Sequence, residues 1–249
     1  MGKADLHIHT DQGDGLDSFA AILDHVEANT DLDVIAITEH DDITVALRAR
    51  ELWARRGYGF DFVVGEEVTT LEGHLVALFV EEPIPSLRRV WETVDAVHEQ
   101  GGVCFIPHPM SWLTRSIGPG TLERMRLRSS DGPWFDGIEM ANPSPLARAF
   151  RAKARRLNER YKLPEVGASD AHFVQAIGSA HTEFAGHTAA DLRAAFAAGR
   201  LAAREQRFPR LRDVGLARTF SLPIVGLRAT PRQLGWRRTV WSFVGRYLP

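Results

Sequence analysis

The chain has a single cysteine, Cys104, which excludes an intramolecular disulfide and suits a reducing compartment. No apolar run approaches the roughly 20 residues needed to cross a bilayer. The first residues, Met1-Gly2-Lys3-Ala4-Asp5, form no apolar leader, and position six lacks the Ser or Thr that myristoylation prefers. The expected location is therefore the cytoplasm. Repeats and low-complexity tracts are missing, so solenoid and fibrous classes fall away. A Gly-x-Ser-x-Gly elbow is missing too, and with it the usual serine-hydrolase signature. Acidic residues almost vanish from the C-terminal stretch. From Arg207 onward nine arginines face Asp213 alone, a net +8, so the chain's total of −2 leaves −10 on residues 1–206.

What remains is a soluble-type composition, 44% hydrophobic and 25% charged, able to bury a full core in 249 residues without cross-links. Short β-branched runs at 4–9, 34–40, 62–70, 74–80, 103–108, 137–141 and 165–169 alternate with helical stretches. Most of the runs are continuously apolar, as expected of parallel strands covered on both faces. Helices are expected near 18–28, 43–56, 86–100, 121–127 and 145–160. In the 86–100 segment Leu87, Val90, Trp91, Val94 and Val97 fall on one helical face, and Gly101 supplies the stop. Thr188 and Asp191 mark the cap of a last helix ending at Gly199. Repeated β/α units predict an α/β sheet or barrel with right-handed crossovers.

The histidines follow this punctuation. His7 and His9 end the first strand, His40 the second and His108 the fifth; His74 opens the fourth, and His172 follows the seventh. Asp14, Glu39, Asp41, Glu67 and Asp170 share those loops. Strand ends of an α/β barrel converge on one face, where active sites are built. Imidazoles and carboxylates gathered there would desolvate and repel one another unless cations sat among them. That ligand set suits zinc, manganese and iron, and a carboxylate can bridge two ions. His7-Ile8-His9 puts two rings on one side of a strand, and Asp170-Ala171-His172 repeats the spacing. The alternative for either pair alone is polar residues on a solvent-facing strand.

Seven segments in order resemble the motifs of the PHP (polymerase and histidinol phosphatase) family. They are Asp5-Leu6-His7-Ile8-His9-Thr10, Gly13-Asp14-Gly15, Thr38-Glu39-His40-Asp41, Gly65-Glu66-Glu67-Val68-Thr69, Gly73-His74-Leu75, Pro107-His108-Pro109 and Ser169-Asp170-Ala171-His172. The resemblance covers about residues 4–184. It implies a distorted (β/α)7 barrel over 1–206, with 207–249 as a short basic extension. It also implies two or three divalent transition-metal ions (Zn, Mn or Fe) that activate water against a phosphate ester.

Carried over by residue, the resemblance assigns His7, His9, Glu67 and Asp170 to one ion. Glu67 bridges to a second, completed by His74 and His108, and Asp14, His40 and His172 hold a third. Glu67 and Asp170 are thereby also the catalytic carboxylates. Glu39 stands where the family usually has Asp, a departure that bears on the orientation of His40. The implied substrate is a small phosphorylated metabolite or nucleotide. An exonuclease for short oligonucleotides and a non-catalytic PHP scaffold module are the alternatives.

Arg115, seven residues past His108, is a candidate phosphate clamp, with a solvated surface arginine as its alternative. Asn142 is a candidate substrate contact or a turn residue before Pro143. His25, His98, His181, His187 and Cys104 read as structural. The extension interleaves its arginines with Phe208, Phe220, Trp236, Trp241, Phe243 and Tyr247. Such a pattern either packs on the acidic barrel or contacts nucleic acid or an anionic membrane surface.

Overall fold

In the computed structural model the described residues are 1–111, 114–128, 135–215, 218, 221–222 and 224–225. Their strands are β1 (Gly2–Asp5), β2 (Val34–Ile37), β3 (Asp61–Thr69), β4 (His74–Leu78), β5 (Val103–Ile106), β6 (Gly137–Ala141), β7 (Glu165–Gly167), β8 (Ala180–Phe184) and β9 (Ala202–Glu205). The main helices are α1 (Phe19–Asn29), α2 (Ile43–Arg56), α3 (Val90–Glu99), α4 (Pro119–Arg128), α5 (Pro145–Tyr161) and α6 (Ala189–Ala197).

One mixed sheet runs β7-β6-β5-β4-β3-β2-β1-β8-β9 and curls until its ends nearly meet. At the seam Thr182 Oγ1 of β8 donates to Gly167 O of β7 at 2.8 Å, and beyond the strand ends Ile8 bridges Ala171 in parallel. Side chains from β1 to β5, β7 and β8, among them Leu6, Val34, Val63, Leu78, Phe105 and Phe184, form one buried cluster closed off by Leu192 and Phe196 of α6. A second cluster joins the sheet to α1 through α5.

The expected barrel is present, but it is not built of seven β/α units. β3 and β4 form a hairpin, and β4 is antiparallel to both neighbours. The turn is too short for a parallel crossover: Thr70 N donates to Gly73 O at 3.0 Å, and Thr69 pairs with His74. This reversal brings the start of β4, with His74, to the same end as the finish of β3. The antiparallel pair β8–β9, joined through α6, and the antiparallel pairing of β8 with β1 were not expected from the sequence.

Local signals account for most boundaries. α2 starts at Asp42, whose side chain accepts from Thr44 N at 3.1 Å, and stops at Gly57 with φ of 65°. α6 carries the expected reciprocal cap between Thr188 and Asp191. The helix expected from residue 86 begins only at Val90. Leu87 has φ of 55° and donates its N–H to Thr69 O at 2.7 Å, so this residue serves the hairpin instead.

The beginning of the extension lies on the barrel. Phe208 meets Phe173 edge-on with ring centroids 6.0 Å apart, Val214 is buried, and Arg218 pairs with Asp17 at 2.6 Å. Phe220, Trp236, Trp241, Phe243 and Tyr247, with the arginines beyond 218, lie outside the described residues. Among the described residues no helix is long and apolar enough to cross a membrane.

Candidate metal centre

All nine expected ligands meet at one end of the barrel. After β1 the chain stays extended: His9 N donates to Ala171 O at 2.9 Å, and Ala171 N to His7 O at 3.2 Å. The first and last motifs therefore lie side by side, and the Nε2 atoms of His7 and His9 come within 3.1 Å of each other. Asp41, His108 and Asp170 have φ of 52°, 30° and 52°. This left-handed backbone is uncommon outside glycine, and it turns each strand end sharply at the cluster. Gly13 lies close to this acid layer: a Cβ there would lie 1.9 Å from Glu39 Oε2, so any side chain would displace that carboxylate.

Glu67 is the hub. Its Oε1 lies 2.9 Å from His74 Nδ1 and 3.1 Å from His108 Nε2, while Oε2 lies 3.2 Å from both His7 Nε2 and His40 Nδ1 and 3.4 Å from His9 Nε2. Asp170 Oδ1 stands 3.6 Å from His7 Nε2 and 3.4 Å from His9 Nε2. On the far side Asp14 reaches His172 Nε2 at 3.2 Å, His9 Nδ1 at 3.4 Å and His40 Nε2 at 3.6 Å.

These separations suit cations. Donors about 2.0–2.2 Å from a tetrahedral ion stand roughly 3.4 Å apart. Three groups, His7–His9–Asp170, His9–Asp14–His172 and Glu67–His74–His108, each gather donor atoms within 4.8 Å. A fourth, His9–His40–Glu67, lets His40 face Glu67 as well as the Asp14 side for which the sequence marks it. Nε2 of His74 is buried without a hydrogen bond, and Nδ1 of His9 and of His40 are buried against carboxylates without a well-aligned one. Buried polar atoms in natural proteins rarely stay so.

Charge separates sharply within the cluster. Burial alone would lower the pKa of His7, but Asp170 and Glu67 outweigh it and hold the ring well above the usual value. His40 and His172 are likewise pushed up, against their burial, to about 9 and about 10 by Glu67 and Asp14 respectively. Burial would raise Asp14 and Glu67, yet the surrounding imidazoles hold both well below the carboxylate range. His74 goes the other way: burial, reinforced by His40 and His108, takes it to about 4 despite Glu67.

Behind the ligands stands a layer absent from the sequence expectations. Glu139 Oε1 lies 3.2 Å from His7 Nδ1. Ser116 and Thr114 hydroxyls each lie 3.0 Å from His108 Nδ1. His172 Nδ1 faces Asp170 O at 2.9 Å; a carbonyl only accepts, so Nδ1 carries the proton and Nε2 faces Asp14. Asp5 receives Ser169 N at 2.9 Å and Gly178 N at 2.8 Å, and burial lifts its carboxyl to about 6. Glu39 accepts from Thr10 N and stands 4.0 Å from His9 Nδ1, so the longer acid reaches the Thr10 turn and His9.

Arg115 is half-buried rather than solvated. Its guanidinium donates to Thr70 O at 3.2 Å, and its carbonyl accepts His74 N at 2.8 Å. Asn142 is turned inward, donating to Glu139 Oε2 at 2.9 Å and accepting Ser144 N at 3.0 Å. His98 and Cys104 N both bond Asp136, a structural arrangement outside the cluster.

The fold is shared with known proteins. A model of the PHP-associated family matches residues 149–201. An uncharacterized protein of Methanocaldococcus jannaschii is 32% identical over 151 residues, 56% of this chain and 81% of that protein. The chain belongs to the PHP family. A phosphoribosyl 1,2-cyclic phosphate 1,2-diphosphodiesterase of Eggerthella lenta is 34% identical, over 33% of each chain. A 5′-3′ exoribonuclease of Salmonella typhimurium is 32% identical over 60% of this chain. The match spans less than half of that enzyme, 46%. In fold the chain is similar to a two-domain protein containing a predicted PHP-like metal-dependent phosphoesterase from Bacteroides vulgatus. The TM-score is 0.65 at 21% identity, over 82% of this chain and 64% of that one.

Proposed function

We propose that the protein hydrolyses phosphate esters at a di- or trinuclear centre of zinc, manganese or iron. The observation that carries this reading is Glu67, whose two oxygens each lie within 3.2 Å of two imidazole nitrogens on different strand ends. His7, His9 and Asp170 would hold one ion, His74 and His108 a second, with Glu67 between them. Asp14 and His172 would hold a third, with His40 reaching either side. When bound, the ions supply neutralisation of an anionic ester and a water nucleophilic at neutral pH. The chain's own groups do the positioning. Ser116 accepts the Nδ1 proton of His108 while donating to His108 O, which leaves Nε2 free to ligate. Arg115, on the loop beside His74, is proposed to hold a phosphate oxygen.

The proposed substrate is a small phosphorylated metabolite or nucleotide. A second reading, exonucleolytic cleavage of short RNA, is favoured by the alignment to the exoribonuclease over 60% of this chain. Elemental analysis of the purified protein, with a panel of phosphomonoesters, cyclic diesters and 5′-labelled oligoribonucleotides, tests both. At least two ions per chain and hydrolysis abolished by chelation are expected. Less than about one equivalent of metal after metal-replete purification, or inertness towards every ester class, overturns the proposal.

A further inference from the structure

Glu139 sits in the middle of β6, 2% exposed, and belongs to none of the seven motifs. One of its oxygens is committed: Oε2 accepts the His108 backbone N–H at 2.7 Å and Asn142 Nδ2 at 2.9 Å. Asn142 cannot turn its amide to relieve that commitment, because its Oδ1 accepts Ser144 N at 3.0 Å. The other oxygen, Oε1, faces His7 Nδ1 at 3.2 Å. Opposite, His7 Nε2 faces His9 Nε2, Glu67 and Asp170 at 3.1, 3.2 and 3.6 Å.

From this geometry we infer that Glu139 is a positioning residue: it fixes the proton of His7 on Nδ1 and fastens that ring to the His108 strand end. The inference rests on the metal-centre reading above. A carboxylate can only accept, so Nδ1 must donate, and Nε2 is the nitrogen that faces the cluster and gives up its proton when a metal binds. Through the same side chain the backbone of His108 is tied to the orientation of His7. One residue thus couples a ligand of the His7–His9–Asp170 group to a ligand of the Glu67–His74–His108 group.

Glu139→Gln reverses the logic with almost no change of shape. The amide oxygen must stay on the His108 N–H and Asn142 side, where both partners donate. The amide NH2 then faces His7 Nδ1, which has to accept. The proton moves to Nε2 and blocks the ligand position.

The test uses the full chain, uniformly labelled at histidine nitrogens, with zinc alone as probe. In zinc-loaded wild type, His7 is expected to show a protonated Nδ1 and a metal-shifted Nε2. In Glu139→Gln, zinc affinity by chelator competition should fall about 10- to 100-fold, and metal-free His7 should lack the Nδ1 proton that wild type keeps. A structural role alone would move the melting temperature without moving the tautomer. If Glu139→Gln does not fold, Glu139→Asp carries the test: it keeps the acceptor at longer reach, so the tautomer holds while affinity falls less. Metallation of His7 through Nδ1 in wild type, or unchanged affinity and tautomer in a folded Glu139→Gln, overturns the inference. A wild type that takes up no zinc, manganese or iron sinks the metal reading itself, and is told apart by failing before any variant is compared.

Discussion

His7, His108 and His172 differ from His9, His40 and His74 in what stands behind the ring. The first three turn Nδ1 outward to Glu139, to Ser116 and Thr114, and to Asp170 O, and present Nε2 to the cluster. The other three have no such support. His9 and His40 stand between carboxylates on both sides, and His74 meets Glu67 through Nδ1 while its Nε2 has no hydrogen bond. Backed rings come with a fixed tautomer and one face for a ligand. The unbacked His9 and His40 can serve either neighbouring group, and His9 appears in three of the four donor sets of this cluster. A centre built this way has rigid corners and adaptable middle members.

The strongest blow to that arrangement is at the hub on which both kinds of ring converge. Glu67→Gln is expected to cut phosphoesterase turnover by more than about 100-fold and to lower metal content, with the circular-dichroism spectrum unchanged. Near wild-type turnover from a folded, metal-poor Glu67→Gln would remove Glu67 as the bridge.

Removing support from a backed ring sharpens the contrast. Ser116→Ala combined with Thr114→Ala should weaken metal binding about tenfold, because His108 loses both acceptors for its Nδ1 proton. An unchanged binding isotherm would mean that backing does not set affinity.

Titration separates the metal-free and loaded proteins. The folded pKa values of His40 and His172, about 9 and about 10, lie above the unfolded value of about 6.5. Their stabilisation is complete below the unfolded value and is lost as pH rises through the folded ones. The melting temperature of chelator-treated protein should therefore fall between about pH 7 and pH 10. Metal competes with protons for the same nitrogens, so the increment that zinc adds should grow over that range. A zinc increment that shrinks with rising pH would contradict the placement of these rings beside a cation.

The mildest effect is expected at the rim. Arg115→Ala leaves the carbonyl that holds His74, so it should raise KM several-fold with a smaller drop in kcat. Unchanged KM and kcat would assign the guanidinium to bracing Thr70 alone.

Much of this was legible in the sequence, for identifiable reasons. The cap at Thr188 marked the start of the last helix because its side-chain oxygen and the amide of Asp191 that it serves are three residues apart. The clustered histidines and acids showed through because they recur at strand ends in order. The supporting layer did not. Glu139 is one acid inside an apolar strand, and what gives it meaning is His7, 132 positions away. β9 escaped because Ala202-Ala203-Arg204-Glu205 has neither the β-branched content nor the apolar run of a buried strand; it is held by β8 and by Arg148 and Arg151 on Glu205. Leu87 looked helical by spacing, and tertiary pairing with Thr69 overrode that spacing.

The seam at which β1 meets the end of β7 also sets a clock. Ser169 N closes on Asp5 Oδ1 across 164 residues, and the same junction places Asp170 beside His7 and His9. At a translation speed of about 5–20 residues per second, the first histidines leave the ribosome roughly 10–30 s before their last partners are made. Long-range closure of this kind is the slow step of β-rich folding. A nascent chain therefore carries His7 and His9 through most of synthesis without Asp170 beside them, and the cluster is complete only in the finished barrel.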